Sequence, residues 1–144
     1  MAAEPDDELV ETLIGLFREI DGLFSTASRR LGLTPQQAQL LCFTRHLRPS
    51  FGELATLLHC DKTNVTGLVD RLQRRGLLTR QTDPHDRRVT RVHLTSEGEA
   101  LTGRFQQAID TTLSSRFSSW PTAQRDELLH LLRSATSALR ATDA

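Results

Sequence analysis

Basic side chains concentrate between residues 62 and 91 of this 144-residue chain. Although the net charge of the whole chain is zero, this stretch holds eight basic residues and only three acidic ones. Guanidinium and ammonium groups grouped in this way bind phosphate, so the stretch is a candidate electrostatic footprint for nucleic acid. A solvated charged face without a ligand is the alternative that charge alone leaves open. The basic residues are Lys62, Arg71, Arg74, Arg75, Arg80, Arg87, Arg88 and Arg91.

A helix that starts after Asp61 and runs to about Arg75 is predicted to carry half of these charges. Asp61 is the expected N-cap, and apolar residues recur at helical spacing, so one face packs on a core. The opposite face begins with small polar side chains, which suit a helix lying in the major groove of DNA. Gly67 costs roughly 1 kcal/mol against alanine in mid-helix, and close approach to DNA or to a neighbouring helix explains it. The candidate DNA contacts are Lys62, Thr63, Asn64, Thr66, Gly67, Arg71 and Arg74, and an ordinary amphipathic surface helix is the alternative.

A β-hairpin is predicted next, because the hydrophobic period changes from helical to two. Its strands are expected over residues 78–82 and 89–94, joined by a turn over residues 83–86. Arg87 and Arg88 follow this turn, and arginines on such a wing can enter a narrow minor groove, where the negative potential is deepest. Asp86 can hold Arg88 in position through a charge-assisted hydrogen bond. A charged hairpin without a ligand is again the alternative.

Helices are predicted on both sides of this unit. The first covers residues 7–31, and capping boxes at Thr34–Gln37 and Ser50–Glu53 open two more before the basic helix. Thr95 or Ser96 caps the next helix, with Ser96 and Glu99 spaced as a further capping box, and Pro121 begins the last.

The order helix, helix, short helix, helix, hairpin, helix, helix is that of a winged helix-turn-helix. We therefore predict a mainly α fold with a small β-hairpin wing (α+β), as one domain over residues 6–141. The DNA-binding lobe is expected at about 34–95, and helical dimerisation regions at about 7–31 and 96–141.

These residues resemble a known family. DRRVTRVHLT at residues 86–95 resembles the wing signature of the MarR (multiple antibiotic resistance regulator) family. CDKTNVTGLVDRL at residues 60–72, with RGLL at 75–78, is similar to its recognition helix and the turn that follows. Shorter similarities at residues 50–55 and 95–98 extend the resemblance over essentially the whole chain. The resemblance implies that Arg88 is the wing-tip arginine, that Asp86 is its partner and that Arg71 contacts DNA.

The resemblance also implies a homodimer that binds double-stranded DNA at a roughly palindromic operator. The sequence supports a dimer independently of the resemblance. The last helix carries the paired leucines Leu128-Leu129 and Leu131-Leu132, which present more apolar surface than the core of one small subunit can bury. A repressor released by a small organic effector is the function that the family favours. We assign no effector-binding residues, because Phe17, Phe24, Phe43 and His46 are the only suggestive ones and the core needs the aromatics.

Other functions have weaker support in the sequence. No catalytic constellation or phosphate loop is present, so we expect no enzyme and no cofactor. Cys42 and His46 share a helix face without a third metal ligand, so no metal site is expected. Two alternatives stay open: a redox sensor using Cys60, whose position beside a helix N-terminus favours a thiolate, and a winged-helix interaction protein without DNA binding.

The charge pattern of the N-terminal region and the lengths of the apolar runs predict the cellular compartment of the protein. Residues 1–21 contain seven acidic residues and one arginine, which is unlike the basic and then apolar pattern of a secretory signal. No apolar run reaches membrane-spanning length, so no membrane association is expected. These features favour a cytoplasmic protein.

Overall fold

A computed structural model describes residues 7–141, so Asp6, the first residue of the expected domain, lies outside the described residues. The described chain forms six helices and one two-stranded sheet, which confirms the predicted mainly α fold with a β-hairpin. The helices before the hairpin are α1 (Asp7–Arg30), α2 (Pro35–Leu47), α3 (Phe51–Leu57) and α4 (Lys62–Arg74). The strands are β1 (Leu78–Thr82) and β2 (Thr90–Leu94), and the last helices are α5 (Ser96–Arg116) and α6 (Thr122–Arg140).

Two of the helices before the hairpin begin at the caps that the sequence predicts. The Thr34 hydroxyl accepts a hydrogen bond from the backbone N–H of Gln37, and the Gln37 side chain completes the capping box. The Asp61 carboxylate accepts from the backbone N–H of Asn64 at 2.7 Å and starts α4. Gly76 ends this segment with a φ of +77°, the left-handed conformation that glycine adopts at no steric cost.

The other two capping boxes differ from the prediction. Ser50 accepts from the backbone N–H of Glu53, but the Glu53 carboxylate contacts Arg91, so only half of that box forms. The predicted Ser96–Glu99 box is wrong, because the Thr95 hydroxyl caps α5 by accepting from the backbone N–H of Gly98 at 3.0 Å. The Glu99 carboxylate lies 3.3 Å from the Arg45 guanidinium instead.

The hairpin is held at both edges of β2. On one side β2 pairs antiparallel with β1, with Leu78 opposite Leu94 and Arg80 opposite Val92. On the other side the backbone N–H of Val92 donates to the Pro49 carbonyl at 2.9 Å, beside an isolated bridge between Ser50 and Arg91. The segment between α2 and α3 therefore extends the sheet and ties the wing to the helices.

The chain divides into two compact units between Ile109 and Asp110. The first unit has a single apolar core beneath α2, α3, α4 and the hairpin, to which α5 contributes Phe105. The N-terminus of α5 is packed tightly on the turn after α4, since a Cβ on Gly98 would lie 2.1 Å from the Leu77 carbonyl oxygen. The largest completely buried side chains are Leu40, Leu41, Leu54, Val65, Val69, Leu72, Leu78 and Val92.

The second unit contains the end of α5 and all of α6. Phe117 and Trp120 stack edge to face at the turn between these helices, with ring centroids 4.9 Å apart. None of the described residues of α6 is buried, although the helix carries several leucines. Among the helices that the structure describes, none is long and apolar enough to cross a membrane.

Candidate nucleic-acid interface

The predicted recognition helix has one buried face and one exposed polar face. Its apolar face packs in the core through Val65, Leu68, Val69 and Leu72. The predicted DNA contacts of this helix lie on the other side, where all of them are exposed except Gly67, which is partly buried. The Thr66 hydroxyl donates to the Lys62 carbonyl at 2.9 Å, so its proton is engaged within the helix while its oxygen can still accept a hydrogen bond.

Gly67 has open space around it. A Cβ added at this position would have no atom of another element within 4 Å among the described residues. Of the two reasons that the sequence offered for this costly glycine, close approach to a neighbouring helix is therefore wrong. Close approach of α4 to DNA stays a prediction.

The eight basic residues between 62 and 91 divide into two groups. Four of them are engaged within the chain, by a carboxylate or, for Arg75, by the Gly32 carbonyl at 2.8 Å. The side chains of the other four make no hydrogen bond or ion pair with any described residue, and all four residues are exposed. This second group, the free cations, consists of Lys62, Arg71, Arg74 and Arg87. Three free cations lie on α4 and the fourth lies on the wing.

Asp86 and Arg88 form the charge-assisted hydrogen bond that the sequence predicts. One carboxylate oxygen of Asp86 accepts from the backbone N–H and from Nε of Arg88, both at 3.1 Å. The other oxygen accepts from Nη2 at 3.3 Å. The hydrogen bonds from the Arg88 side chain and backbone lower the pKa of Asp86. The Arg88 side chain is nonetheless 90% exposed, so its guanidinium is oriented and still accessible.

Two further arginines have roles that the sequence analysis missed. Arg80 of β1 forms an ion pair with Asp70 of α4, and its guanidinium carbon lies 5.3 Å from the centre of the Phe51 ring. It therefore joins the wing to both helices of the helix-turn-helix. Arg91 of β2 binds Asp83 and lies 3.4 Å from Glu53. The sequence identifies both only as members of the basic stretch, since their carboxylate partners lie 8, 10 and 38 residues away along the chain.

The candidate sensing residues differ in their surroundings, and they belong to no cluster of metal ligands among the described residues. Burial raises the pKa of the Cys42 thiol, which disfavours the reactive thiolate. Cys60 is half-buried against the core. His46 lies 3.5 Å from the Gln106 amide, and the part of the chain that is described contains no group of three or more metal-ligating side chains.

The aromatic residues that could line an effector pocket are divided between the core and the surface. Phe24 and Phe43 pack against the core, and Phe24 stacks on Phe105 with ring centroids 5.7 Å apart. Phe17 is 68% exposed on α1. These positions agree with a core role for two of the three phenylalanines.

Comparison with known proteins agrees with this arrangement. The sequence model of the MarR family matches residues 31–89. A putative transcriptional regulatory protein for the hcr operon of Thauera aromatica is 30% identical over 137 residues, covering 92% of this chain and 79% of the relative. The homoprotocatechuate degradative operon repressor of Escherichia coli is 28% identical over 128 residues, covering 88% of this chain and 86% of the relative.

A solved structure shows the same fold. BpsR of Bordetella bronchiseptica, described with a mechanism for regulation of its DNA binding by 6-hydroxynicotinic acid, superposes with a TM-score of 0.71 and 27% identity. The match covers 90% of this chain and 98% of that protein. The matching family and relatives are transcriptional regulators rather than enzymes. This chain belongs to the MarR family of DNA-binding, winged helix-turn-helix transcriptional regulators.

Proposed function

We propose that this chain is a homodimeric repressor that reads a palindromic operator and releases it when a small organic effector binds. In this proposal α4 lies in the major groove and the wing reaches the adjacent minor groove. Lys62, Arg71 and Arg74 contact phosphate or base edges, and Thr63, Asn64, Thr66 and Gly67 allow close approach to the bases. With DNA as its partner, we expect the protein to act in the cytoplasm.

The observation that carries the proposal is the contrast between engaged and free cations. Arg80 and Arg91, in the same basic stretch, each bind a carboxylate of the chain. The free cations have none among the described residues, and they accompany a polar helix face and an accessible Arg88. An unneutralised group of this kind favours an external polyanion. Arg87 and Arg88 are the wing contacts in the proposal, and Asp86 supports Arg88.

A second copy of the chain is the partner that we propose for α1. Apolar side chains on this helix recur at three- and four-residue spacing and are exposed, which marks a protein-interaction surface. The exposed apolar residues of α1 include Val10, Leu13, Ile14, Phe17 and Ile20. On α6 the leucines Leu129, Leu131, Leu132 and Leu139 are exposed in the same way. A two-fold dimer places two recognition helices on half-sites about one DNA turn apart.

The direction of regulation and the effector are proposed by analogy with relatives. A related Escherichia coli protein is named as a repressor, and regulation of BpsR by 6-hydroxynicotinic acid is described. Release then follows from linkage: an effector that binds the free dimer more tightly than the DNA complex lowers DNA affinity by the same factor. 6-Hydroxynicotinic acid is therefore a reasonable first probe.

The test begins with selection of bound sequences from a random duplex pool, followed by binding of the enriched site at several salt concentrations. We expect a palindrome and an affinity that falls steeply with salt. Arg88→Ala should weaken binding roughly tenfold, since one arginine contact in a groove contributes about 1–3 kcal/mol.

Arg104→Ala is the matched control, because Arg104 is an exposed residue of α5 whose side chain makes no hydrogen bond or ion pair with the described residues. It should bind as the unsubstituted protein does. The proposal would be overturned if no duplex sequence were enriched, or if binding were weak and unchanged by Arg88→Ala. Either result would favour a winged-helix interaction protein.

A further inference from the structure

Arg91 occupies the junction between the wing and the helix-turn-helix. Its Nε donates to the Asp83 carboxylate, and Nη1 lies 3.3 Å from the Arg48 carbonyl and 3.4 Å from the Glu53 carboxylate. Arg48 ends α2 in a left-handed conformation and Glu53 lies in the first turn of α3. A single guanidinium therefore joins the wing loop to the segment that connects two helices.

Asp83 organises the wing loop from the inside. One of its carboxylate oxygens accepts from the backbone N–H groups of His85 at 2.7 Å and Asp86 at 3.1 Å, which closes the turn after β1. The other oxygen binds Arg91. The Asp83 side chain is only 11% exposed, so this arrangement is shielded from competing water.

Hydrogen bonds connect Asp83 to the wing-tip arginine. The backbone of Asp86 is held by Asp83, and the side chain of Asp86 holds Arg88. The chain of contacts runs from Arg91 through Asp83 and Asp86 to the exposed guanidinium of Arg88. Displacing Asp83 therefore displaces the carboxylate that orients Arg88.

We infer that Arg91 is a positioning residue for DNA binding, which sets the place of Arg88 through Asp83 and does not itself contact DNA. This inference rests on the proposed function, because it assumes that Arg88 binds DNA. The rival role for Arg91 is a direct phosphate contact, as its position in the basic stretch alone suggested. The two roles predict different results for Arg91→Lys. Lysine can still bind phosphate as a point charge, but it lacks the planar guanidinium that donates to several acceptors at once.

The experiment is a double-mutant cycle on the enriched duplex, read by fluorescence anisotropy. Arg91→Lys should weaken binding roughly tenfold, and no more than Arg88→Ala does. In the Arg88→Ala background, Arg91→Lys should change affinity by less than about twofold, because the arginine through which it acts is already absent. Arg104→Lys, the same substitution at an exposed arginine of α5, should bind as the unsubstituted protein does.

Asp83→Asn provides a second arm, which applies even if Arg91→Lys unfolds. It keeps a carbonyl oxygen for the turn but removes the charge that Arg91 binds, so it should show the same loss and the same dependence on Arg88. Undiminished binding by Arg91→Lys, or losses that add fully to that of Arg88→Ala, would overturn the inference. If Arg88→Ala itself leaves binding intact, the proposed function fails, and this outcome is distinguishable from failure of the positioning role alone.

Discussion

At the scale of single residues, the wing depends on the ionised form of Asp83. The hydrogen bond from the Arg91 side chain is the largest cause that lowers the pKa of Asp83 from 3.8 to about 2, and the backbone N–H of His85 contributes next. A carboxylate whose pKa is lowered by folding stabilises the folded state above its unfolded pKa. This stabilisation disappears as the pH falls through the folded pKa.

Asp83→Asn should therefore lower the free energy of unfolding at neutral pH. Its difference from the unsubstituted protein should stay constant above about pH 5 and shrink as the pH falls from about 4 to about 2. Urea unfolding of both proteins across this range measures the difference. Asp110→Asn, which removes an exposed carboxylate without an ion pair among the described residues, is the control. A difference for Asp83→Asn that persists undiminished at pH 2 would contradict the prediction.

At the scale of elements, Gly98 of α5 and Gly67 of α4 differ in the space around them. Gly98 of α5 faces the Leu77 carbonyl so closely that a methyl group has no room. Gly67 of α4 has free space on its outer side. The first glycine therefore serves packing within the chain, whereas the second weakens a helix without any gain in packing among the described residues.

Gly67→Ala should stabilise the free protein by roughly 1 kcal/mol, because alanine favours a helix interior and no neighbour is disturbed. The same substitution should weaken operator binding, because the added methyl group occupies the space that we assign to DNA. Unfolding and anisotropy measurements separate the two effects. Gly22→Ala on α1, where an added Cβ also meets nothing within 4 Å, should stabilise without affecting DNA binding. Operator binding by Gly67→Ala at full affinity would show that α4 does not approach DNA at this face.

At the scale of the whole molecule, function depends on how two copies associate. The exposed apolar face of α1 is the surface that we assign to the partner. Two lobes joined in one dimer bind two half-sites far more tightly than separate lobes, because the second contact becomes intramolecular. Any change that separates the copies should therefore weaken operator binding without altering α4 or the wing.

Phe17→Glu should convert the dimer to a monomer, since it places a charge in the proposed apolar interface. Light scattering should report a mass that falls from about twice 16.2 kDa to 16.2 kDa. Operator affinity should fall at least about tenfold. Leu47→Glu is the matched control, because Leu47 is 55% exposed on α2, outside the proposed interface, and this variant should stay dimeric. A dimeric Phe17→Glu protein would assign the interface to another surface.

The local features of the fold were largely predictable from the sequence. Thr34 and Asp61 cap helices through bonds to residues three positions away, and Asp86 holds Arg88 from two positions away. Such interactions depend on spacing along the chain, so a pattern of residue types is enough to identify them. The apolar stripe of α4 and the hairpin after it follow from the same periodicities.

Tertiary structure decided which partner each charged group takes. Glu53 and Glu99 both have the spacing of a capping box, yet distant arginines bind both carboxylates, because an ion pair adds charge to the hydrogen bond that a neutral N–H offers. Thr95 rather than Ser96 caps α5 because its hydroxyl also donates to the Gly76 carbonyl at 2.6 Å.

The difference between local and tertiary interactions also separates the groups proposed to bind DNA from the groups that position them. By itself, the sequence determined where the cations lie and that a helix and a wing present them, because these are properties of local composition and periodicity. Only the tertiary structure distinguished the free cations from Arg80 and Arg91, because the carboxylates that bind these two arginines are brought to them by folding from 8, 10 and 38 residues away. A charge binds whichever partner lies nearest in space, and separation along the chain does not reveal that partner.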